Sequence, residues 1–473
     1  MTSENVIETV VNRELCCGCG VCAGICPFRV LKMVWNHYGE LNPELCGDCR
    51  TTCSLCLSTC PFVSENPLED EIARDLFLNH SGISHNPYLG YYLGTYVGYS
   101  LSDALRQNSA SGGLATWLLE AMLQEDIIDA VVCVGQHDVA GHLFSYAVVS
   151  NPSEMRRASR SAYYPVELSE PLRYINTTPG RYAITALPCV AKGIRLAARK
   201  ISNIRQRIVA IIGLTCGQMK SAHFTAYIAA LSGLAGPPRL VNFRGKDPKG
   251  TADNFHFIFQ GYNDTKKISR FDGPSETWSN RWFSLNSCRF CDDIFAEVAD
   301  VSFMDAWLPE YVDDPRGTNL VITRNPIIDG LLRSGYNRGE ISLQDISPEQ
   351  VIRSQTGVIE YKRHELPFRL YRSKHAIGEL KKRVDSHWKI GLSAMVRSIM
   401  LDIMQEKSRL ASSRYANPEV FDAAAFRKRM LPYLWLMKTV SRVIFAGHWL
   451  FLVIKKCCHV LLNPGRYIYK RPM

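Results

Sequence analysis

Cys16-Cys17-Gly18-Cys19-Gly20-Val21-Cys22-Ala23-Gly24-Ile25-Cys26-Pro27 decides how the first part of this chain folds. Four of its thiols, Cys16, Cys19, Cys22 and Cys26, follow the spacing C-x2-C-x2-C-x3-C and run straight into a proline. Thiolates so spaced wrap one face of a [4Fe–4S] cube, and the proline keeps the chain out of the cluster volume. A second run, Cys46, Cys49, Cys53, Cys56 and Cys60, also ends in a proline, Pro61. In two-cluster ferredoxins the fourth cysteine of each run ligates the other cluster. On that pattern Cys16, Cys19, Cys22 and Cys60 hold one cube. Cys26, Cys53, Cys56 and either Cys46 or Cys49 hold the second. The second run has three residues rather than two between Cys49 and Cys53, which leaves its first ligand open. Cys17 reads as a bystander. Zinc sites usually use two CxxC pairs separated by a longer insert, and disulfides need an exported chain.

Outward from that module, the opening MTSENVIETVVNREL lacks the charged-then-apolar pattern of an export signal. With 17 cysteines, this points to metal ligation in a reducing, cytoplasmic compartment. The length of 473 residues suggests about three domains, and 46% hydrophobic with 21% charged residues is ordinary for a globular protein. The net charge of +10 is moderate, and its basic residues are not interleaved with stacking aromatics. Nucleic acid is therefore not an expected partner. Residues 1–65 form the ferredoxin-like α+β domain, and 66–90 read as a linker. From about 91 to 365, short apolar runs alternate with helical stretches: AVVCV at 130–134, YAITAL at 182–187 and IVAIIGL at 208–214. That alternation predicts an α/β core with a largely parallel sheet. Residues 366–473 read as a basic helical tail.

Cys189 and Cys216 each lie just past the end of an expected buried strand, on the edge where open α/β sheets place their ligand crevice. With Cys288 and Cys291 they make four thiols for a third [4Fe–4S] site, or else two core cysteines and an incidental CxxC. Ser109-Ala110-Ser111-Gly112-Gly113 precedes an apolar helix, where small residues and a helix N-terminus suit a flavin phosphate; a plain serine cap is the alternative. No GxGxxG fingerprint opens a βαβ unit, so a nicotinamide site is not expected. Arg244 and Lys246 form a basic loop that suits an acidic cofactor or lies in solvent. Asp305, in a strand ending Asp305-Ala306-Trp307, orients a cofactor ring or caps a turn.

Taken in order, these landmarks resemble the beta-subunit family of coenzyme F420-reducing hydrogenases and dehydrogenases, over roughly residues 10–325. The resemblance implies an iron–sulfur flavoprotein that binds FAD and passes electrons between [4Fe–4S] clusters and a deazaflavin or another organic acceptor. It also implies that Ser109, Ser111, Gly112 and Gly113 form the flavin loop and that Arg244 and Lys246 are the family's basic loop. Cys189, Cys216, Cys288 and Cys291 match family cysteines, which favours the third cluster. Two departures bear on coenzyme F420 more than on flavin or clusters. Many members carry Gly-Ser-Lys-Tyr where this chain has Arg160-Ser161-Ala162-Tyr163, and Met304 stands where glycine usually precedes Asp-Ala-Trp.

The expected activity is that of an FAD-dependent iron–sulfur oxidoreductase, with Tyr163 as the candidate proton donor near the flavin. The alternatives are an electron-relay subunit without its own substrate site, docking to a redox partner protein or ferredoxin-type donor, and a reductase of membrane-linked polysaccharide synthesis. Segment 431–456 is apolar but interrupted by Lys438, Arg442 and His448, so it offers no run of about 20 uncharged residues to span a bilayer. Its imperfect amphipathicity suits a helix at the membrane surface, on the inner face, or one packed on a partner. Cys457 and Cys458 suit either ligation or acylation.

Overall fold

The computed structural model describes residues 5–49, 53–139, 142–158, 160–416, 420–440 and 442. In the ferredoxin-like module, β1 (Leu31–Trp35) and β2 (Leu41–Leu45) pair antiparallel, with Trp35 opposite Leu41. The short helices Val21–Gly24 and Leu55–Ser58 carry cysteines of the two runs. The glycines of the opening stretch are conformational requirements. Gly20 has φ +74°, and a side chain there would bring Cβ within 2.8 Å of the Leu168 amide nitrogen. That close approach lets the Leu168 N–H donate to the Cys19 carbonyl at 3.0 Å, joining the module to the start of helix Ser169–Thr177. Residues 66–90, expected as a linker, are structured. Helix Glu69–Phe77 buries Ile72, Ala73 and Phe77 in a core shared with the module, and β3 (Ser84–Asn86) pairs with β4 (Gly90–Tyr92).

The central sheet uses β5 (Gly94–Ser100), β6 (Ala130–Val139), β7 (His142–Val149), β8 (Tyr182–Ala186) and β9 (Ile208–Leu214). A separate antiparallel sheet of β10 (Leu240–Gly245), β11 (His256–Gln260) and β12 (Thr265–Ser269) intervenes. Then β13 (Val301–Asp305), β14 (Asn319–Thr323) and β15 (Ile341–Asp345) complete the eight-stranded sheet in the order β15-β5-β14-β13-β9-β8-β6-β7. Strands β6, β8, β9 and β13 run parallel at its centre, and antiparallel strands extend it at both edges. The parallel strands are buried on both faces, which is why their sequences are nearly unbroken apolar runs. Alternate residues serve two cores. Val132, Ile184 and Ala186 face helix Pro188–Lys200 and the ferredoxin module, whereas Val131, Cys133 and Ala183 face helices Leu114–Gln124 and Pro326–Asn337.

The C-terminal region begins with helices Leu366–Ile377 and Leu392–Tyr415 and is helical again over 423–440. It lies across the rest of the chain. Met404, Phe421, Phe426, Met430 and Leu434 are buried, and Phe426 stacks on Phe283 at 4.9 Å. Arg409 reaches back to the ferredoxin module, gripping both Glu40 oxygens at 2.7 and 3.0 Å and Glu14 at 2.8 Å. Segment 431–456 lies partly outside the described residues, and Cys457 and Cys458 lie wholly outside them. No helix among the described residues is long and apolar enough to cross a membrane.

Candidate functional site

Cys16, Cys19, Cys22 and Cys60 line one small cavity, together with Cys17, Thr59 and apolar side chains such as Val6, Val10 and Met33. This is the set that crossed ligation predicts for the first cube. Burial, reinforced by neighbouring thiols, pushes Cys16 and Cys22 up and Cys60 to about 12. Iron inverts that preference, because a coordinating thiol is deprotonated outright. The Gly18 N–H already donates to Cys16 Sγ at 3.4 Å.

The second set gathers Cys26, Cys49, Cys53 and Cys56. Cys49 lies in the field of Cys53 and Cys26, and Cys56 in that of Cys49 and Cys53. Cys46 is exposed and turns its thiol to the Arg29 carbonyl at 3.6 Å. Of the two residues left open by the spacing, Cys49 is the one brought to the other three. Among the described residues, no three His, Cys, Asp or Glu side chains come together at the spacing of a single bound ion.

The third set is assembled by the sheet. Cys189 opens helix Pro188–Lys200 beyond β8, and Cys216 follows β9, its N–H bonded to the Ile294 carbonyl at 3.0 Å. Cys288 and Cys291 lie on and just after the 3₁₀ turn Asn286–Phe290, and the Met219 N–H donates to Cys288 Sγ at 3.3 Å. Burial raises Cys216 and Cys288, and raises Cys291 to about 11. Cys189 moves the other way. Cys17 donates to it, and this outweighs burial with help from Lys362 and the Val190 N–H. Cys17, read from sequence as a bystander, thus bridges the first set, through Cys19, to the third.

Two residues beside this set carried no sequence signal. Lys362, on the π-helical turn Glu360–His364, places Nζ 3.3 Å from Cys291 Sγ and 2.7 Å from the Asp293 carbonyl. Arg383 is buried against Asp292 at 3.1 Å and Glu297 at 2.6 Å, fixing the loop that follows Cys291. Both lie far along the chain from the cysteines, and only the fold brings them in.

The expected flavin residues converge at the same carboxyl edge of the sheet. Gly113, at φ +84°, caps helix Leu114–Gln124. Gly112 leaves no room for a side chain: a Cβ would sit 2.9 Å from both Asn319 Oδ1 and the Gly98 carbonyl. Ser111 Oγ donates to the Thr318 carbonyl at 2.8 Å, whereas Ser109 Oγ is buried without a hydrogen-bond partner among the described residues. Arg244 grips Asp305 through two bonds of 3.0 Å and donates to the Tyr163 hydroxyl at 3.3 Å. Asp305 and Tyr163 keep Arg244 charged despite burial. Lys246 donates to the carbonyls of Arg106, Ser111 and Arg316, tying the glycine loop to the 314–317 turn. Burial, Arg244 and Arg106 push it down to about 7. A small cleft opens between these loops, lined by Ala110, Arg244, Lys246, Phe255 and Gly317. A hydroxyl without a partner among the described residues and two basic side chains at the cavity fit a phosphate-bearing cofactor. Arg160, close to the position of the missing family lysine, reaches Asn108 Oδ1 at 3.3 Å at the base of this loop.

An α/β sheet carries the Cys189, Cys216, Cys288 and Cys291 set at its carboxyl edge, with the cysteine-rich ferredoxin-like module docked beside it. Residues 95–173 match the N-terminal part of the coenzyme F420 hydrogenase/dehydrogenase beta subunit, residues 180–349 match its C-terminal part, and residues 9–32 match a 4Fe-4S binding domain. The chain belongs to the coenzyme F420 hydrogenase/dehydrogenase beta-subunit family. Among its relatives is the coenzyme F420-dependent sulfite reductase of Methanocaldococcus jannaschii, 24% identical over 365 residues, which cover 71% of this chain and 49% of that protein. The chain thus spans about half the length of that relative. A subunit of the F420H2 dehydrogenase of Methanosarcina mazei is 23% identical over 328 residues, covering 68% of this chain and 82% of that protein. A chain of the F420-reducing [NiFe] hydrogenase complex of Methanosarcina barkeri superposes with a TM-score of 0.49 at 15% identity, over 63% of this chain and 98% of that one.

Proposed function

We propose that this chain is a flavin-dependent iron–sulfur oxidoreductase in which electrons travel between a ferredoxin-like module and an organic substrate, coenzyme F420 or another acceptor. The reading is supported by four groupings, Cys26/49/53/56, Cys16/19/22/60, Cys189/216/288/291 and the Ser109–Gly113 loop with Arg244, the last two at the same carboxyl edge of the sheet. When bound, clusters at the three thiol sets handle single electrons and FAD converts them to two-electron chemistry. The residues hold, orient and screen. Cys17 links the first and third sets, and Ser109, Gly112 and Gly113 present an anion cradle. Arg244 holds Asp305 and the Tyr163 hydroxyl in one place, so Tyr163 is the group positioned to supply a proton there.

Anaerobic purification with iron and flavin quantified tests this, followed by a screen of deazaflavin, quinone and nicotinamide acceptors. About twelve irons per chain with bound flavin is the expected result, and about eight would remove the third cluster. A second reading, an electron relay that works only with a catalytic partner, is favoured by the subunit status of the Methanosarcina mazei relative. Turnover of a small molecule by the isolated chain with a viologen dye would rule that reading out. Contact of segment 431–456 with an anionic membrane is proposed from its sequence pattern; equal pelleting with vesicles by the full chain and by one truncated near Arg427 would refute it.

A further inference from the structure

The buried cations around the third thiol set are not equivalent. Lys192 faces Glu69 at 3.2 Å, Arg363 faces Glu297 at 2.7 Å, and Lys382 and Arg383 face Asp292 at 4.0 and 3.1 Å. Each of these charges is matched by a carboxylate. Lys362 has no such match; Lys220 and Arg281, buried on the Cys288 side, share that condition, but Lys362 is the cation in contact with a sulfur of the set. Its residue is only 2% exposed, and among the described residues no carboxylate pairs with it. Its ammonium is aimed at Cys291 Sγ and steadied by the Asp293 carbonyl. The π-helical turn Glu360–His364 makes this possible by turning Tyr361, Lys362 and Arg363 inward together. Tyr361 is clamped between Arg281 and Arg369, each 3.7 Å from its ring, so the turn is rigid at this point.

A buried ammonium is costly unless an anion faces it. Four thiolates around a [4Fe–4S] core supply that anion, and their total charge becomes more negative by one when the cluster takes up an electron. A fixed cation in van der Waals contact with one ligand sulfur favours the more negative state.

We infer that Lys362 is a positioning residue that raises the reduction potential of the cluster held by Cys189, Cys216, Cys288 and Cys291. Resting on the third-cluster reading above, this makes that cluster the preferred resting place for an electron arriving from the reduced ferredoxin-like clusters or from reduced flavin. One electron moves in each transfer, its donor is oxidised by one, and Lys362 keeps its protons.

The test uses the full-length protein, purified anaerobically with its iron, in wild-type, K362M and K362R forms, titrated with dithionite under EPR. In K362M the third cluster's midpoint is expected to become more negative, with its reduced-to-oxidised ratio at fixed potential falling at least tenfold, ~59 mV for a one-electron couple. K362R restores the wild-type midpoint, and the other two clusters do not move. An unchanged third midpoint in K362M overturns the inference. A wild-type protein with about eight irons and no third signal instead overturns the third-cluster reading itself. Should K362M lose that cluster's iron, K362Q keeps a donor toward the Asp293 carbonyl without the charge. A shifted midpoint in K362Q supports the inference, and an unshifted midpoint or the same loss of iron overturns it.

Discussion

Replacing Arg409 with alanine should loosen the ferredoxin-like module from the rest of the chain without unfolding either part. Arg409 lies on helix Leu392–Tyr415, far in sequence from its partners, and makes three short bonds to Glu40 and Glu14 while covering the Tyr38 ring at 3.7 Å. Its side chain is 12% exposed and that of Glu40 is 7%. Truncating one partner of a buried ion pair costs about 3–5 kcal/mol, because the other charge is left without compensation. Glu40 retains Asn36 Nδ2 as a donor at 3.1 Å, and Glu14 is half exposed, so the lower end applies. The expected loss is about 3 kcal/mol, a little over a hundredfold in the opening equilibrium at roughly 1.4 kcal/mol per factor of ten. Native-state hydrogen exchange reads this directly. In R409A the amides of β1 and β2 should exchange about a hundredfold faster while those of β8 and β9 are unchanged. The double mutant R409A/E40A should lose less than the sum of the two single changes. Strict additivity, or unaltered exchange in β1 and β2, would refute the claim that this helix straps the module down.

Three further outcomes are expected from the geometry. C49S should lower the iron content by about four per chain and C46S should leave it intact; equal loss in both would refute the placement of Cys49. G112A should weaken flavin retention at least tenfold, since its methyl would displace Asn319, whose Oδ1 accepts the Leu114 N–H at 3.2 Å; flavin-to-protein ratios after gel filtration check this. Lys246 gives a pH signature. Its folded pKa of about 7 lies below the unfolded value, so the folded state binds fewer protons between about 7 and about 10.4. Stability of the flavin-free protein should therefore rise with pH across that window, and K246M should abolish that part of the slope, read by denaturant unfolding at the two ends.

Much of this was legible without coordinates. The spacing of Cys16, Cys19, Cys22 and Cys26 is local information, because a cube's corners are reached within one loop and the fourth corner by a second loop of the same kind. The strands β8 and β9 were legible for a similar reason: a strand buried on both faces is an apolar run. Cys189 and Cys216 could be placed on one edge once those strands were taken as parallel. Less legible were residues whose role depends on burial by something distant. The 66–90 stretch looks polar, yet Ile72, Ala73 and Phe77 on one side of helix Glu69–Phe77 suffice to anchor it. The basic C-terminal region looks like a tail because its charges are numerous, and nothing local shows that Arg383 and Arg409 point inward.

The sequence by itself determined the chemistry of the chain: thiols at cluster spacing, a small-residue loop before a helix, and alternating strands and helices to carry them. Tertiary structure alone decided that Cys49 rather than Cys46 joins its set, that Cys17 bridges two sets, and that Lys362 faces sulfur instead of carboxylate. Ligand spacing is written over a few residues, where chain geometry is fixed by covalent bonds. The partner of a buried charge is chosen by whichever segment excludes water from it, and here those segments lie tens to hundreds of residues away.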